Sequence, residues 1–475
     1  MILVTGATGY IGGRLIPRLA AHGYPVRALA RDPRRLGRLA ALTRDVVSAD
    51  LLQPHTLASA VEGVDTAYYL AHSMTTSGGD FAFKDRAAAR NFAAACAVAR
   101  VRRIIYLGGL GNSNQALSSH LASRQEVGAI LATGPVPVTE LRAAIIVGAG
   151  SASFEIIRDL VHRLPVMVTP RWVRSRCEPV AIAQVLDYLV GVLEEPRTVG
   201  QVLDIGGGEV LTYEQMMREC ATVMGRRLRI LTLPVLTPSL SAYWLNLVTS
   251  VPMSLARPLV EGLRNDVVTT DRRIRDWIPT RDIPYREAVA TALAEDAAGE
   301  LATRWTLADT SPPDAAQPGW PEPLSETRTR ETPAPAAAVF AAVQRIGGQT
   351  GWHYADWLWR LRGAIDRMLG GVGMRRGRAH PTALAIGQPV DFWRVADLVP
   401  GRLLRLRAEM KLPGVAELEF AVEDRAGGGA LLRQRAQFQP NGLWGRLYWY
   451  LLLPFHAFIF GGMARRIVAA AERAG

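Results

Sequence analysis

Apolar and polar positions follow two rhythms along this chain. Through residues 1–150, short apolar runs alternate with stretches of helical spacing. The runs at 2–5, 26–30, 45–48, 65–71, 103–108 and 138–142 predict strands; 10–21, 32–41, 55–61 and 81–99 predict helices. Strand–helix alternation predicts an α/β fold with a doubly wound parallel sheet and right-handed crossovers. Near the other end the rhythm changes to strict alternation. Leu404 and Leu406, Ala416, Leu418 and Phe420, and Leu432, Ala436 and Phe438 keep even spacing within their runs, with Arg405, Arg407, Glu417, Glu419, Arg433 and Arg435 at the odd positions. Glycine and proline turns at 400–401, 413–414 and 427–429 separate the runs, so an α+β region with an antiparallel sheet is predicted. Helices at 336–345 and 354–369 precede it, and a long apolar helix from about residue 443 to 472 closes it.

Between these regions, residues 151–300 predict helices at 154–164, after 181 to about 194, and at 212–224, with Thr212 as the N-cap of the last. An apolar loop is expected at 164–170 and a strand with a tight glycine turn at 203–208. Residues 233–263 are unusually apolar; core packing is the first reading, a pocket lining or membrane-surface contact the second. Proline and small polar residues at 306–321 mark a linker between a region at 1–305 and another at 322–475.

The first predicted strand runs into Gly6-Ala7-Thr8-Gly9-Tyr10-Ile11-Gly12, where a helix begins. Glycines spaced three apart at such a turn let backbone approach a pyrophosphate, whose charge the helix N-terminus accommodates. After the second strand comes Arg31, followed by Asp32. An acidic residue here would hold a ribose hydroxyl, whereas Arg31 would accept a 2′-phosphate, so NADP(H) is favoured over NAD(H). Asp50-Leu51 follows the third strand, where a carboxylate could meet an adenine or simply cap a helix.

The formal net charge is +12 with a pI near 10.1, which raises nucleic acid as a partner. The charge is spread along the chain without a nucleic-acid motif, so no such partner is expected. Almost all of it is arginine; lysine occurs only at Lys84 and Lys411. Cys96, Cys177 and Cys220 form no disulfide or zinc pattern, and the eight histidines lack metal-ligand spacing, so no metal is expected. A strand beginning at residue 2 leaves no room for a signal peptide, and a cytoplasmic setting is expected.

Residues 1–300 resemble an atypical, extended-like short-chain dehydrogenase/reductase, in the branch that includes a nucleotide-binding accessory subunit of respiratory complex I. The glycine turn, Ala49-Asp50-Leu51, Asn91, Arg103–Gly111, His120–Val127 and Thr139–Ala144 carry the resemblance. It implies cofactor contacts at Gly6, Ala7, Thr8, Gly9, Tyr10, Ile11, Gly12, Arg31, Asp50, Leu51, Ala71 and Gly108. It also implies that 151–300 covers the substrate and that a nicotinamide would lie near Ala71-His72-Ser73, Gly108-Gly109 and His120. Catalytic members of that family use a serine and a Tyr-x-x-x-Lys helix. Here Gly108-Gly109 stands in the serine region and His120-x-x-x-Arg124 in the other. Neither lysine has a tyrosine four residues before it, so the usual proton relay is missing. His120 and Arg124 remain as candidates, the first for donating a proton, the second for binding ribose or phosphate.

The predicted antiparallel sheet with its long helix resembles the helix-grip fold of START and polyketide-cyclase-like proteins, which implies an apolar ligand between sheet and helix. Seventeen residues from Leu447 to Met463 lack Asp, Glu, Lys and Arg, but Pro454, His456 and Gly461-Gly462 interrupt them. A helix buried against the sheet is expected, with a peripheral contact at the inner face of the membrane as the alternative. Three functions are consistent with these features: an oxidoreductase acting on an apolar quinone, isoprenoid or polyketide-like molecule; a non-catalytic NADP(H) sensor or membrane-complex accessory or assembly factor; and a lipid-type carrier with a scaffold Rossmann half.

Overall fold

The computed structural model describes residues 1–72, 81–111, 118–233, 261–262, 265–298, 303, 323–376, 378, 380 and 382–473. The predicted linker at 306–321, Ser73, and most of the apolar stretch at 233–263 lie outside them. The chain divides into two compact units, Met1–Thr310 and Ser311–Gly475.

The first unit is built on a seven-stranded parallel sheet. Its strands are β1 (Ile2–Val4), β2 (Val26–Ala30), β3 (Asp45–Ser48), β4 (Thr66–Tyr69), β5 (Arg103–Gly109), β6 (Val138–Ala143) and a last strand, Val202–Ile205. From one edge the order is Val202–Ile205, β6, β5, β4, β1, β2, β3. The strand order reverses between β1 and β4, and a crevice opens beyond the strand ends at such a point. Helices α1 (Gly12–Ala21), α2 (Leu57–Val61), α3 (Phe81–Val98) and α4 (Ser119–Ala132) alternate with the strands. Leu3, Val4, Ala67, Tyr68, Ile104 and Ile105 are buried on both faces of the sheet. That explains why these strands read as continuous apolar runs.

Three local expectations are corrected. The helix expected at 32–41 is instead a pair of three-ten turns across Pro33–Leu42, broken at Gly37, whose φ is +51°. The helix at 55–61 splits into a three-ten turn Pro54–Thr56 and α2. The segment expected as a loop at 164–170 contributes a strand, Val166–Pro170, paired in parallel with Arg229–Leu233. A partner sixty residues away gives no local signal. The helix Tyr213–Val223 is as expected: Thr212 Oγ1 accepts from Gln215 N and the Gln215 side chain accepts from Thr212 N.

The second unit is a six-stranded antiparallel sheet ordered Leu324–Thr332, Ala430–Pro440, Gly414–Asp424, Leu403–Ala408, Trp393–Val399, Pro389–Val390. One face buries Leu404, Leu406, Leu418, Phe420, Leu432 and Phe438. On the other, opposed pairs form ion pairs: Arg405 with Glu419 at 3.0 Å and Arg407 with Glu417 at 2.7 Å. The helices Ala336–Gln344 and Gly442–Glu472 pack on the apolar face.

The last helix corrects the expectation of a buried helix. Met463, Ala464, Ile467, Val468 and Ala471 are buried, whereas Leu443, Trp444, Tyr450, Leu451, Phe455 and Phe458 are exposed. One side of the helix is held against the sheet along its length, through Trp449 on Phe438 as well as Met463 and Ile467, and the other side is left outside.

Candidate functional site

At the end of β1 the buried Thr5 hydroxyl accepts the Leu70 N–H at 3.0 Å, tying the strand to β4. The next residue, Gly6, adopts φ +62°, and a Cβ there would lie 2.7 Å from Leu70 O. At Gly12 a Cβ would stand 2.3 Å from Gly6 O, so turn and helix meet backbone to backbone. Gly9 is looser: its N–H donates to Gly6 O at 2.9 Å, and a Cβ would meet only that oxygen, at 3.1 Å. Ile11 is already helical (φ −79°, ψ −51°). Among the described residues, the N–H groups of Tyr10 and Ile11 find no backbone acceptor. A bare turn ending in free helix N–H groups fits a dinucleotide pyrophosphate. Arg14 anchors this start by lying 5.2 Å over the Tyr10 ring while donating to Ala149 O and Glu295.

At the end of β2, Arg31 is exposed. Asp32 is engaged elsewhere: it accepts from Arg34 N at 3.1 Å and from the Arg34 guanidinium at 3.0 Å, which holds its carboxyl below the usual range. Asp50 accepts from Leu52 N at 3.0 Å and so caps its own turn, while its charge acts on Arg31. Leu51 is buried, and its carbonyl accepts from the Asn91 amide at 2.9 Å. Ala71 lies against Gly6.

The missing serine has a steric reason. A Cβ at Gly108 would lie 2.8 Å from Glu140 Oε1, and one at Gly128 would lie 2.5 Å from Oε2. Glu140 is buried on β6 and paired with Arg142 Nε at 2.8 Å, so this carboxylate fills the space a side chain at 108 would need. Arg124 is turned toward the sheet: its guanidinium donates to Leu107 O and lies 5.5 Å over the Tyr106 ring, whose hydroxyl donates back to Arg124 O at 2.8 Å. It braces α4 on β5.

His120 has partners that spacing did not announce. His72, just beyond β4, places Nδ1 2.8 Å from Asp85 Oδ2 and Nε2 3.3 Å from His120 Nδ1. Asp85 is buried on α3, and the two rings are 5.1 Å apart. With the His72 Nδ1–H on the side of the carboxylate, Nε2 of His72 accepts the Nδ1–H of His120. The second nitrogen of His120 has no partner among the described residues. Burial lowers the pKa of both histidines, opposed by the Asp85 carboxylate and reinforced by the Arg124 charge. For His120 the fall is large, and His72 itself adds to it. Both shifts favour the neutral imidazoles. Sequence reasoning placed His72 only as a neighbour of the expected nicotinamide and missed Asp85, which lies on a helix 35 residues before His120.

A family described as NAD(P)H-binding matches residues 6–142, and one described as a protein of unknown function (DUF2867) matches residues 323–463. Over 238 residues the chain is 30% identical to a (4-alkanoyl-5-oxo-2,5-dihydrofuran-3-yl)methyl phosphate reductase of Streptomyces griseus, covering 48% of this chain and 76% of that relative. It is 29% identical over 241 residues to a ceramide reductase of Caulobacter vibrioides, covering 49% and 74% respectively. Triphenylmethane reductase of Citrobacter sp. superposes with a TM-score of 0.52 at 20% identity, over 62% of this chain and 99% of that one. The same enzyme complexed with NADP(H) gives 0.51 at 19% identity, over 61% and 99%. These structural likenesses are of fold.

Proposed function

Because the chain belongs to the NAD(P)H-binding reductases of the short-chain dehydrogenase/reductase type, we propose that it reduces an apolar carbonyl, enone or quinone, with the buried histidine pair in place of the tyrosine–lysine relay. Bound NADPH supplies the hydride. Residues 6–12 hold its pyrophosphate, and Arg31 favours the 2′-phosphate over a free hydroxyl. Substrate oxygen takes its proton from Nε2 of His120. In the acid form one extra proton is shared between His72 Nε2 and His120 Nδ1, and the Asp85 carboxylate balances its charge. Loss of the Nε2 proton to the substrate restores the neutral pair, so one hydride and one proton give the alcohol or hydroquinone.

The observation that carries this reading is the Asp85–His72–His120 chain at 2.8 and 3.3 Å, next to the strand end on which the glycine turn packs. We read the second unit as a START-like helix-grip domain that holds the apolar substrate. Its core stacks Trp352 on Trp359 at 4.7 Å and Phe438 on Trp449 at 5.8 Å. Buried polar atoms of Trp359, Trp393, Gln434 and His456 find no hydrogen-bond partner among the described residues, as a ligand site would require. The rival reading, an NADP(H) sensor, is favoured by the missing lysine.

The test is NADPH and NADH binding by calorimetry, followed by NADPH oxidation with a panel of apolar ketones, enones and quinones. NADPH is expected to bind more tightly than NADH. With a responsive acceptor, His120→Gln should lower kcat by about 100-fold or more while leaving NADPH affinity intact. Binding without oxidation by any acceptor would select the sensor.

A further inference from the structure

We propose that the exposed face of the C-terminal helix, together with the helix Asp356–Met368, seats the second unit on an anionic phospholipid surface. The helix Gly442–Glu472 is divided lengthwise. Phe460, Met463, Ile467 and Ala471 are buried, while Leu443, Trp444, Tyr450, Leu451, Phe455 and Phe458 face outward; Trp444 is 77% exposed. Trp357, Leu361, Ile365 and Leu369 form a second exposed row with the i, i+4 spacing of one helix side, with Met368 beside it. Tyr354, just before that row, packs on Phe458 with rings 5.2 Å apart, so the second row begins near the end of the first.

Charge selects the occupant. Arg360, Arg362, Arg367, Arg446, Arg465 and Arg466 lie on these two helices, and between Trp357 and Met368 and between Gly442 and Ala471 the single carboxylate is Asp366. That carboxylate is turned away from solvent: it is fully buried and accepts from Gly373 N at 2.8 Å and Lys411 N at 2.7 Å. The remaining carboxylates lie at helix ends, Asp356 accepting from Trp352 N and Glu472 from Thr332 Oγ1, so the outer face between them presents Trp, Tyr, Phe, Leu and Arg. Residues 311–475 as a whole hold 21 Arg and Lys against 14 Asp and Glu. A second copy seated on this face would bring arginines against arginines. An anionic bilayer instead offers headgroup phosphates to the guanidinium groups, an interface for the indole and phenol rings, and acyl chains for Leu and Phe. Apolar insertion and a basic surface are the two signals that together give stable peripheral attachment. The helix is long enough to cross a membrane. Its buried side is fastened to the sheet, however, and Arg446 lies in its second turn, so it rests along the surface.

The test is sedimentation of the full chain with vesicles of phosphatidylcholine alone and of phosphatidylcholine mixed with phosphatidylglycerol, at low and high salt. Binding is expected to the anionic vesicles and to weaken with salt. The triple variant Trp444→Ser, Leu451→Ser, Phe455→Ser should bind about tenfold or more weakly, with unchanged circular dichroism and NADPH affinity. Brominated acyl chains should quench tryptophan fluorescence, less so in Trp444→Phe, which reports insertion without depending on the triple variant. Failure to sediment with anionic vesicles would overturn the proposal. So would undiminished binding by a folded triple variant, or a dimer in solution that this variant dissociates while lipid is ignored.

Discussion

The two sheets of this protein leave different parts of themselves free for chemistry. In the parallel sheet, helices lie over both faces, and β1, β4 and β5 are apolar along most of their length. Only the strand ends remain available, and there the glycine turn, Ala71, His72 and Gly108 gather. In the antiparallel sheet one face carries the core and the other an Arg–Glu ladder, so its exposed polar residues cross-link neighbouring strands. A buried charge next to the parallel sheet can therefore serve a site, whereas the ladder on the antiparallel sheet adds modest stability.

Four substitutions or titrations sharpen that contrast. The largest effect is expected from Phe420→Ala, which empties a fully buried position of the antiparallel core. A loss of about 3–5 kcal/mol is expected in urea unfolding of the second unit. NADPH affinity should not change, and a parallel loss would show that the two units do not act separately. Next, Gly12→Val forces a side chain against a backbone carbonyl that has nowhere to go. NADPH binding should vanish in calorimetry, with a stability loss of about 1–3 kcal/mol from overpacking.

The third is a titration. Burial holds the folded pKa values of His72 and His120 below the ordinary 6.5. The unfolded chain therefore takes up protons first as pH drops, so stability is full above about pH 6.5 and declines below it. Asp85→Asn should steepen that decline, because it removes the charge that favours protonated histidine. The proton-donating direction of the reaction should speed up as pH falls, until unfolding intervenes. A pH-independent rate would remove His120 from the acid role. The smallest effect is expected for Glu417→Ala on the ladder, on the order of 0.2–1 kcal/mol and reduced by salt. A larger loss there would mean that the outer face matters as much as the core.

The glycine turn was legible because its requirement is local: Gly6 needs a positive φ, and Gly12 must pass within reach of Gly6 O. The central strands Ile2–Val4, Thr66–Tyr69 and Arg103–Gly109 were legible because burial on both faces writes itself as apolar runs. Asp85 was not, since one carboxylate in a helical pattern looks like a solvated face until the fold buries it beside His72. The strand Val166–Pro170 was hidden for a similar reason, its pairing with Arg229–Leu233 being invisible in either segment. At Asp32 the rival ribose role is weakened by the neighbour it captures, Arg34.

By itself, the sequence determined the elements, because backbone conformation and side-chain periodicity are set by residues a few positions apart. It settled the α/β and antiparallel halves, the glycine turn and the loss of the tyrosine–lysine pair. Only the tertiary structure decided which polar groups meet. It brought Asp85, His72 and His120 together from three segments, placed Glu140 where a serine would stand, and left one side of the last helix uncovered. Those outcomes depend on packing between distant segments, since hydrogen bonds and burial are decided by what lies across the gap and not by what lies next along the chain.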